Sequence, residues 1–261
     1  MFGSTGSKVK ILEFMEQVDT RAREYPAEDS DSDSDSEDGE ERINIRAPNM
    51  EQSFSKVSEE ERSTHFLAVK VNSKELSSNL VKVQQSLVAR EQILQDCCMK
   101  EELFHMTLGM FRLRDIQGIQ LAVDMVRTIK DEAPEIIQGR DTLLEVDGLN
   151  NFGHRVVYAQ VKPKDPQLFQ DFLSFIRRKF ESIGDKVQST NSFEFVPHIT
   201  LAKVSRPISR IRRSQYIDES FYAHHKNEYF GSQRLDNLQL CIIETSTRFD
   251  GFYTTLEDVN I

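Results

Sequence analysis

The stretch Phe104-His105-Met106-Thr107-Leu108 has a counterpart 93 residues on, Pro197-His198-Ile199-Thr200-Leu201. Each reads His, apolar, Thr, apolar. In a β-strand successive side chains point to opposite faces. His105 and Thr107 therefore share one face, and Met106 and Leu108 the other. His198 and Thr200 stand in the same relation to Ile199 and Leu201. A strand that buries its apolar face presents one imidazole and one hydroxyl on the opposite side. Two such strands side by side bring two imidazoles and two hydroxyls to one cleft.

That set of groups suits a phosphate ester without a metal. Histidine titrates near neutrality, so one imidazole can act as base while the other acts as acid. Threonine hydroxyls donate to phosphate oxygens and hold developing negative charge. One His-x-Thr alone means little, since a histidine on a strand is usually structural. Two copies, each after a strand and a helix, point to function. No Asp/Glu or Cys cluster accompanies either histidine, and HExxH and paired C-x-x-C patterns are absent, so no metal is expected. No cofactor is expected either, because no P-loop or dinucleotide glycine pattern occurs.

Outward from the motifs, elements alternate. Phe66–Val71 reads as a strand, and Asn72-Ser73 as the cap of a helix over Glu75–Asp96. The first motif strand runs to about Arg112. Asp115-Ile116 opens a second helix to about Lys130, and Thr142–Val146 is a strand with a turn at Asp147-Gly148. Asn150–Gly153 reads as a loop and Val156–Val161 as a strand. Asp165-Pro166 caps a third helix over Gln167–Ile183, stopped by Gly184. Phe193–Phe195 leads into the second motif strand, Pro197–Val204. A basic, irregular segment with Arg206, Arg210, Arg212 and Arg213 reaches about Tyr229. Leu238–Ile243 and Phe252–Leu256 are closing strands. Strand, helix, His-strand occurs in both halves, so two related lobes are expected, each offering one motif strand.

The N-terminal part differs in kind. The chain has a net charge of −10, and nine acids fall in Glu28–Glu41 with no Lys or Arg among them, which leaves the rest near neutral. That alternating Asp-Ser run cannot bury apolar area and reads as disordered. It lacks the glycine of an EF-hand loop, so calcium binding is rejected. Residues 8–25 carry helical apolar spacing at Ile11, Met15, Val18, Ala22 and Tyr25. This is either a partner-binding helix or a transient one. Residues 1–63 are thus read as a largely disordered acidic region, with residues 8–41 as a site for a protein partner. Residues 64–261 are read as the folded domain.

Three cysteines, Cys97, Cys98 and Cys241, make no disulfide framework. No signal peptide or membrane span is legible, so a cytoplasmic or nuclear location, no membrane contact and a monomer are expected. Phe152 and Tyr253 are candidates to stack on a base, and Arg210 and Arg213 to contact phosphate or base. For each of these, core packing or a solvated loop is the plainer alternative. His65 reads as structural, His154 as a turn residue, and His224-His225 as a surface pair.

At the two motifs the sequence resembles the 2H phosphoesterase superfamily, named for paired H-x-[ST] motifs. Its members include 2′-5′ RNA ligase-like proteins and cyclic nucleotide phosphodiesterases. Within that superfamily the chain resembles the central domain of A-kinase anchoring protein 7 and its relatives. This rests on Phe104–Leu108, the Gly148–Gly153 loop, Phe195–Leu201, Tyr229–Leu235, Leu240-Cys241 and Gly251–Tyr253, within about Thr64–Asp258. The resemblance implies an α+β, bilobal fold with two mostly antiparallel sheets forming a concave cleft and helices outside. It implies His105 and His198 as catalytic acid and base, and Thr107 and Thr200 as phosphate ligands. It also implies nucleoside monophosphates, 2′,5′-linked oligoribonucleotides or 2′,3′-cyclic phosphates as ligands. The anchoring proteins carry a kinase-tethering helix beyond this domain. With the sequence ending at Ile261, kinase anchoring is not expected.

Overall fold

Helix caps and apolar spacing set the local structure. A computed structural model describes residues 62–189, 195–243 and 247–261. The helix read over 8–25, the acidic run 28–41 and the start of the Phe193–Phe195 lead-in lie outside the described residues.

Ser73 caps α1 (Lys74–Arg90) by accepting the Leu76 N–H at 3.3 Å. Asp115 caps α2 (Ile116–Ile137) through the Gly118 N–H at 2.7 Å. Asp165 caps α3 (Pro166–Glu181) through the Leu168 N–H at 2.9 Å, with Pro166 in the first turn. A short α4 covers Arg206–Arg212. Among the described residues the nine strands are β1 (His65–Lys70), β2 (His105–Leu113), β3 (Leu143–Phe152), β4 (Val156–Pro163), β5 (Val187–Ser189), β6 (His198–Lys203), β7 (Tyr229–Arg234), β8 (Asn237–Ile242) and β9 (Thr255–Asn260).

They form two sheets, ordered β5-β2-β1-β8-β9 and β6-β4-β3-β7, with every pairing antiparallel. Each sheet carries one His-x-Thr strand, paired to the strand that precedes it across a helix: β2 on β1, and β6 on β4. The fold is α+β and bilobal, as expected.

Side-chain alternation divides the burial. Met106 and Leu108 of β2, Ile199 and Leu201 of β6, Leu80 and Val83 of α1, and Phe172 and Ile176 of α3 join one main core. On the other face of β1 and β8 lies a smaller cluster, Phe66, Ala68, Cys241 and Phe252. β1 is therefore apolar on both faces, which is why its sequence Phe66-Leu67-Ala68-Val69 shows no alternation.

Several boundaries differ from the sequence reading, each for a local reason. The first helix ends at Arg90 rather than Asp96, because Glu91 turns to extended backbone and its carboxylate is held by Arg212 at 2.7 and 2.6 Å. A 3-10 turn over Gln92–Cys97 keeps Leu94 buried. The second helix continues through Pro134 to Ile137. Asp147-Gly148 is a bulge inside β3, not a turn: the Gly148 N–H donates to the Glu228 carbonyl at 2.9 Å, and the ladder resumes at Leu149. The residues read as a loop, Asn150–Phe152, complete that strand. The basic segment holds α4 and 3-10 turns at 219–221 and 223–225. The last strand begins at Thr255 rather than Phe252. β5 and β7 carry too little alternation to be read from sequence.

Candidate active site

Both motifs sit at the start of their strands. The imidazole Nδ1 of His105 lies 2.7 Å from the Leu103 carbonyl, and that of His198 lies 2.7 Å from the Val196 carbonyl. A carbonyl only accepts, so Nδ1 carries the hydrogen in both residues and Nε2 is left as the basic nitrogen. The same two-residue backward bond fixes both rings.

The motif strands share a second feature. Opposite β1, Leu67 pairs with Gly109 while Ala68 pairs with Thr107, so Leu108 is an inserted residue. Opposite β4, Val157 pairs with Ala202 while Tyr158 pairs with Thr200, so Leu201 is inserted. Both bulges fall on the leucine after the threonine. Beyond each bulge the facing of side chains is reset, and Leu108-Gly109 and Leu201-Ala202 are consecutive buried pairs. Met110 and Lys203 consequently return to the face that carries the histidine and threonine.

The strand β6 bulge is pinned from outside. The Leu201 carbonyl accepts from the Met99 N–H at 2.8 Å and from the Gln84 side-chain amide at 2.8 Å, and Gln84 also reaches the Met99 carbonyl. β2 and β6 lie against one another across the two sheets.

The walls of the two imidazoles are aromatic. His105 meets Phe66 at 5.1 Å, Tyr253 edge-on at 5.3 Å and Phe252 at 6.3 Å between ring centres. His198 meets Phe152 edge-on at 5.0 Å and Tyr158 at 5.1 Å, and those two rings stack on each other at 4.3 Å. Burial against its wall pushes His105 down to about 4, opposed by the Leu103 carbonyl and helped by the nearby His198. Burial also lowers His198, opposed by the Val196 carbonyl. Near neutral pH the burial of both imidazoles therefore favours their uncharged form.

A family model described as the AKAP7 2′5′ RNA ligase-like domain matches residues 63–261. The chain belongs to that family. Through it the chain falls in the 2H phosphoesterase superfamily. A curated human relative, A-kinase anchor protein 7 isoform gamma, is 24% identical over 191 residues, covering 72% of this chain and 54% of that protein. The chain thus spans about half the length of the curated relative it matches. Among solved structures, TT0787 of Thermus thermophilus superposes with a TM-score of 0.51 at 17% identity, covering 76% of this chain and 97% of that one. E. coli LigT complexed with 3′-AMP gives 0.48 at 14% identity, covering 76% and 98%.

Of the residues singled out in sequence for this 2′5′ RNA ligase-like domain, six converge. His105, Thr107, His198 and Thr200 share the cleft faces of their strands, with Tyr253 on the His105 ring and Phe152 on the His198 ring. Arg210 and Arg213 do not join them. Both are exposed on and just after α4, and among the described residues neither bonds to a motif residue. The bound arginine of that run is Arg212, which clamps Glu91. His65 is buried, bonded to Thr64, and pushed down to about 4. His154 is a turn residue at φ 57. His225 is half-buried and bridges Ser86 at 2.9 Å and Glu228 at 2.5 Å, while His224 is exposed.

Sequence reasoning did not find Phe66, Tyr158 and Phe252, nor the cross-strand partners Lys70 of His105 and Gln160 of His198. Their membership depends on strand register, which no local pattern announces. All three cysteines are free, and among the described residues no group of three His, Cys, Asp or Glu could hold a metal ion.

Proposed function

We propose that this domain is a metal-independent phosphodiesterase acting on 2′,5′-linked oligoribonucleotides or 2′,3′-cyclic phosphates. The observation that carries the reading is the matched pair of imidazoles. Each has Nδ1–H held by a backbone carbonyl, a basic Nε2 and a threonine two residues along.

In a 2′,5′-linked substrate the neighbouring 3′-hydroxyl attacks phosphorus. One imidazole Nε2 takes the hydroxyl proton, and the other, entering as imidazolium, gives a proton to the departing 5′-oxygen. The products are a 2′,3′-cyclic phosphate and a free 5′-hydroxyl. Water attack on a cyclic phosphate uses the same two transfers, with water as the source of the first proton. Thr107 and Thr200 donate to the non-bridging oxygens, whose charge grows in the transition state. Because burial favours the neutral form of both imidazoles, the anionic phosphodiester is what stabilises the one imidazolium the reaction needs.

A second reading is a nucleotide-binding module without turnover. The same matched geometry serves it, since two threonine hydroxyls and an imidazole that takes up a proton on binding hold a phosphate without passing that proton on.

Hydrolysis of 2′,5′-oligoadenylate, its 3′,5′ isomer and a 2′,3′-cyclic nucleotide, measured in chelator, separates the two. Cleavage of the 2′,5′ or cyclic substrate, lost in His198→Ala, is expected. Strong inhibition by chelator would sink the metal-free mechanism. Binding of a nucleoside monophosphate with no cleavage would leave the binding module.

A further inference from the structure

The cleft does not end at the two motifs. A groove of about 1440 Å³ continues from Thr107 and His198, between β2, β6 and α3. Its lining includes three apolar side chains that are solvent-exposed, Met110 at 36%, Phe152 at 39% and Val196 at 39%. It also includes two cations, Lys203 on β6 and Arg177 on α3, against one carboxylate, Glu181. Lys203 and Arg177 are both exposed, and neither has an ion-pair partner among the described residues.

We infer that this groove binds the nucleotide next to the scissile linkage, with Lys203 and Arg177 taking the adjoining phosphate and the exposed apolar side chains facing a base. The inference rests on the phosphodiesterase reading above and narrows it to linear oligoribonucleotides over cyclic mononucleotides.

Three observations converge on it. The β6 bulge at Leu201 turns Lys203 onto the face of His198 and Thr200. Thr200 and Lys203 are three residues apart, on the order of 10 Å along an extended strand at about 3.3 Å per residue, before the bulge shortens it. A phosphate seated on Thr200 therefore leaves the Lys203 ammonium within a side chain's reach of the next linkage. An unpaired cation beside an exposed aromatic ring is the combination that holds single-stranded nucleic acid, the charge taking the backbone and the ring the base. The groove is also continuous with the site, so a longer substrate enters it without a second binding event.

The test compares the kcat/KM of a 2′,5′-adenylate tetramer with that of 2′,3′-cyclic AMP, in the wild-type chain and in Lys203→Gln and Arg177→Gln. In the wild type the tetramer is expected to be preferred. Each variant should lower the tetramer-to-cyclic ratio about tenfold. The dependence of log kcat/KM for the tetramer on log salt should flatten by about 0.7 for every phosphate that is no longer neutralised. Lys164→Gln, an exposed lysine beyond β4, should change neither. A ratio and salt slope unmoved in both groove variants would overturn the inference while leaving the phosphodiesterase reading intact. If nothing is turned over, that reading fails, and the anisotropy of a labelled tetramer takes its place. Tightening from dimer to tetramer that Lys203→Gln abolishes would still support the groove, and affinity independent of length would overturn it.

Discussion

The two histidine sites are the same at the backbone and different at the walls. In each lobe Nδ1 is fixed by a carbonyl two residues back, a threonine follows, and a bulge falls on the next leucine. His105, however, is shut in by Phe66 and Phe252, which are 5% and 0% exposed, with Lys70 across the strand. His198 leans on Phe152, 39% exposed, with Gln160 across the strand. The repeated part fixes ring orientation. The variable part sets how strongly each ring resists a proton. On the proposed phosphodiesterase reading, the more enclosed His105 would serve as base and His198 at the open wall would carry the proton.

Removing the repeated part gives the largest effect. His105→Ala or His198→Ala should each lower kcat by roughly 10³-fold, within the range spanned by positioned acids and bases. The circular dichroism should be unchanged, because both rings line a cleft rather than fill the main core. Thr107→Ala or Thr200→Ala should cost about 10²-fold, as for loss of one preorganised donor. Kinetics on the four variants check the symmetry. If either histidine can be removed with little loss, the lobes do not share the chemistry.

The variable part should show in the pH dependence of stability. His65 and His105 both sit near 4 in the folded chain against about 6.5 when unfolded. Between those values the unfolded chain binds more protons, so stability is complete above pH 6.5 and is lost as the pH falls toward 4. Each group contributes up to about 1.4 kcal/mol per pH unit in that window. Urea midpoints at pH 7, 5.5 and 4.5 should fall together, and His105→Gln should flatten the fall more than His198→Gln does. Equal flattening would mean that the walls do not distinguish the rings. Opening one wall, in Tyr253→Leu, should raise the His105 titration seen by NMR and leave that of His198 in place.

These differences also mark what the sequence could and could not convey. The motif pair, the three capped helices at Ser73, Asp115 and Asp165, and the β1–β2 order were legible because each rests on residues close in the chain. The walls were legible only at Phe152 and Tyr253, since Phe66, Tyr158 and Phe252 join them through strand register and a distant turn. The bulges at Leu108 and Leu201 were hidden for another reason. A bulge leaves the apolar pattern Leu-Gly or Leu-Ala intact and shows only in register. For Arg210 and Arg213 no direction was legible, because a cluster of like charge names no partner. Arg212, the one bound among them, is tied to Glu91 and ends a helix rather than meeting a ligand.

The smallest effect separates the walls by their supports. Each wall has a glycine with positive φ beside its aromatic ring: Gly251 before Phe252, at φ 80, and Gly153 after Phe152, at φ 54. A methyl group at Gly153 meets nothing within 4 Å, so Gly153→Ala carries only the cost of the left-handed backbone, about 1 kcal/mol. At Gly251 the same methyl group lies 3.0 Å from the Glu102 Cβ and Cγ. Glu102 sits in the 3-10 turn 101–103, whose last carbonyl holds the His105 ring. Gly251→Ala therefore has to push the 247–253 hairpin and that turn apart, which disturbs the Tyr253 wall and the Nδ1 bond together. It should lower kcat several-fold and move the His105 titration, whereas Gly153→Ala should shift the melting temperature by a few degrees and leave both histidine titrations where they were. Equal kinetic effects would place the rigidity of the His105 lobe elsewhere than in the contact between its hairpin and the turn that precedes the motif.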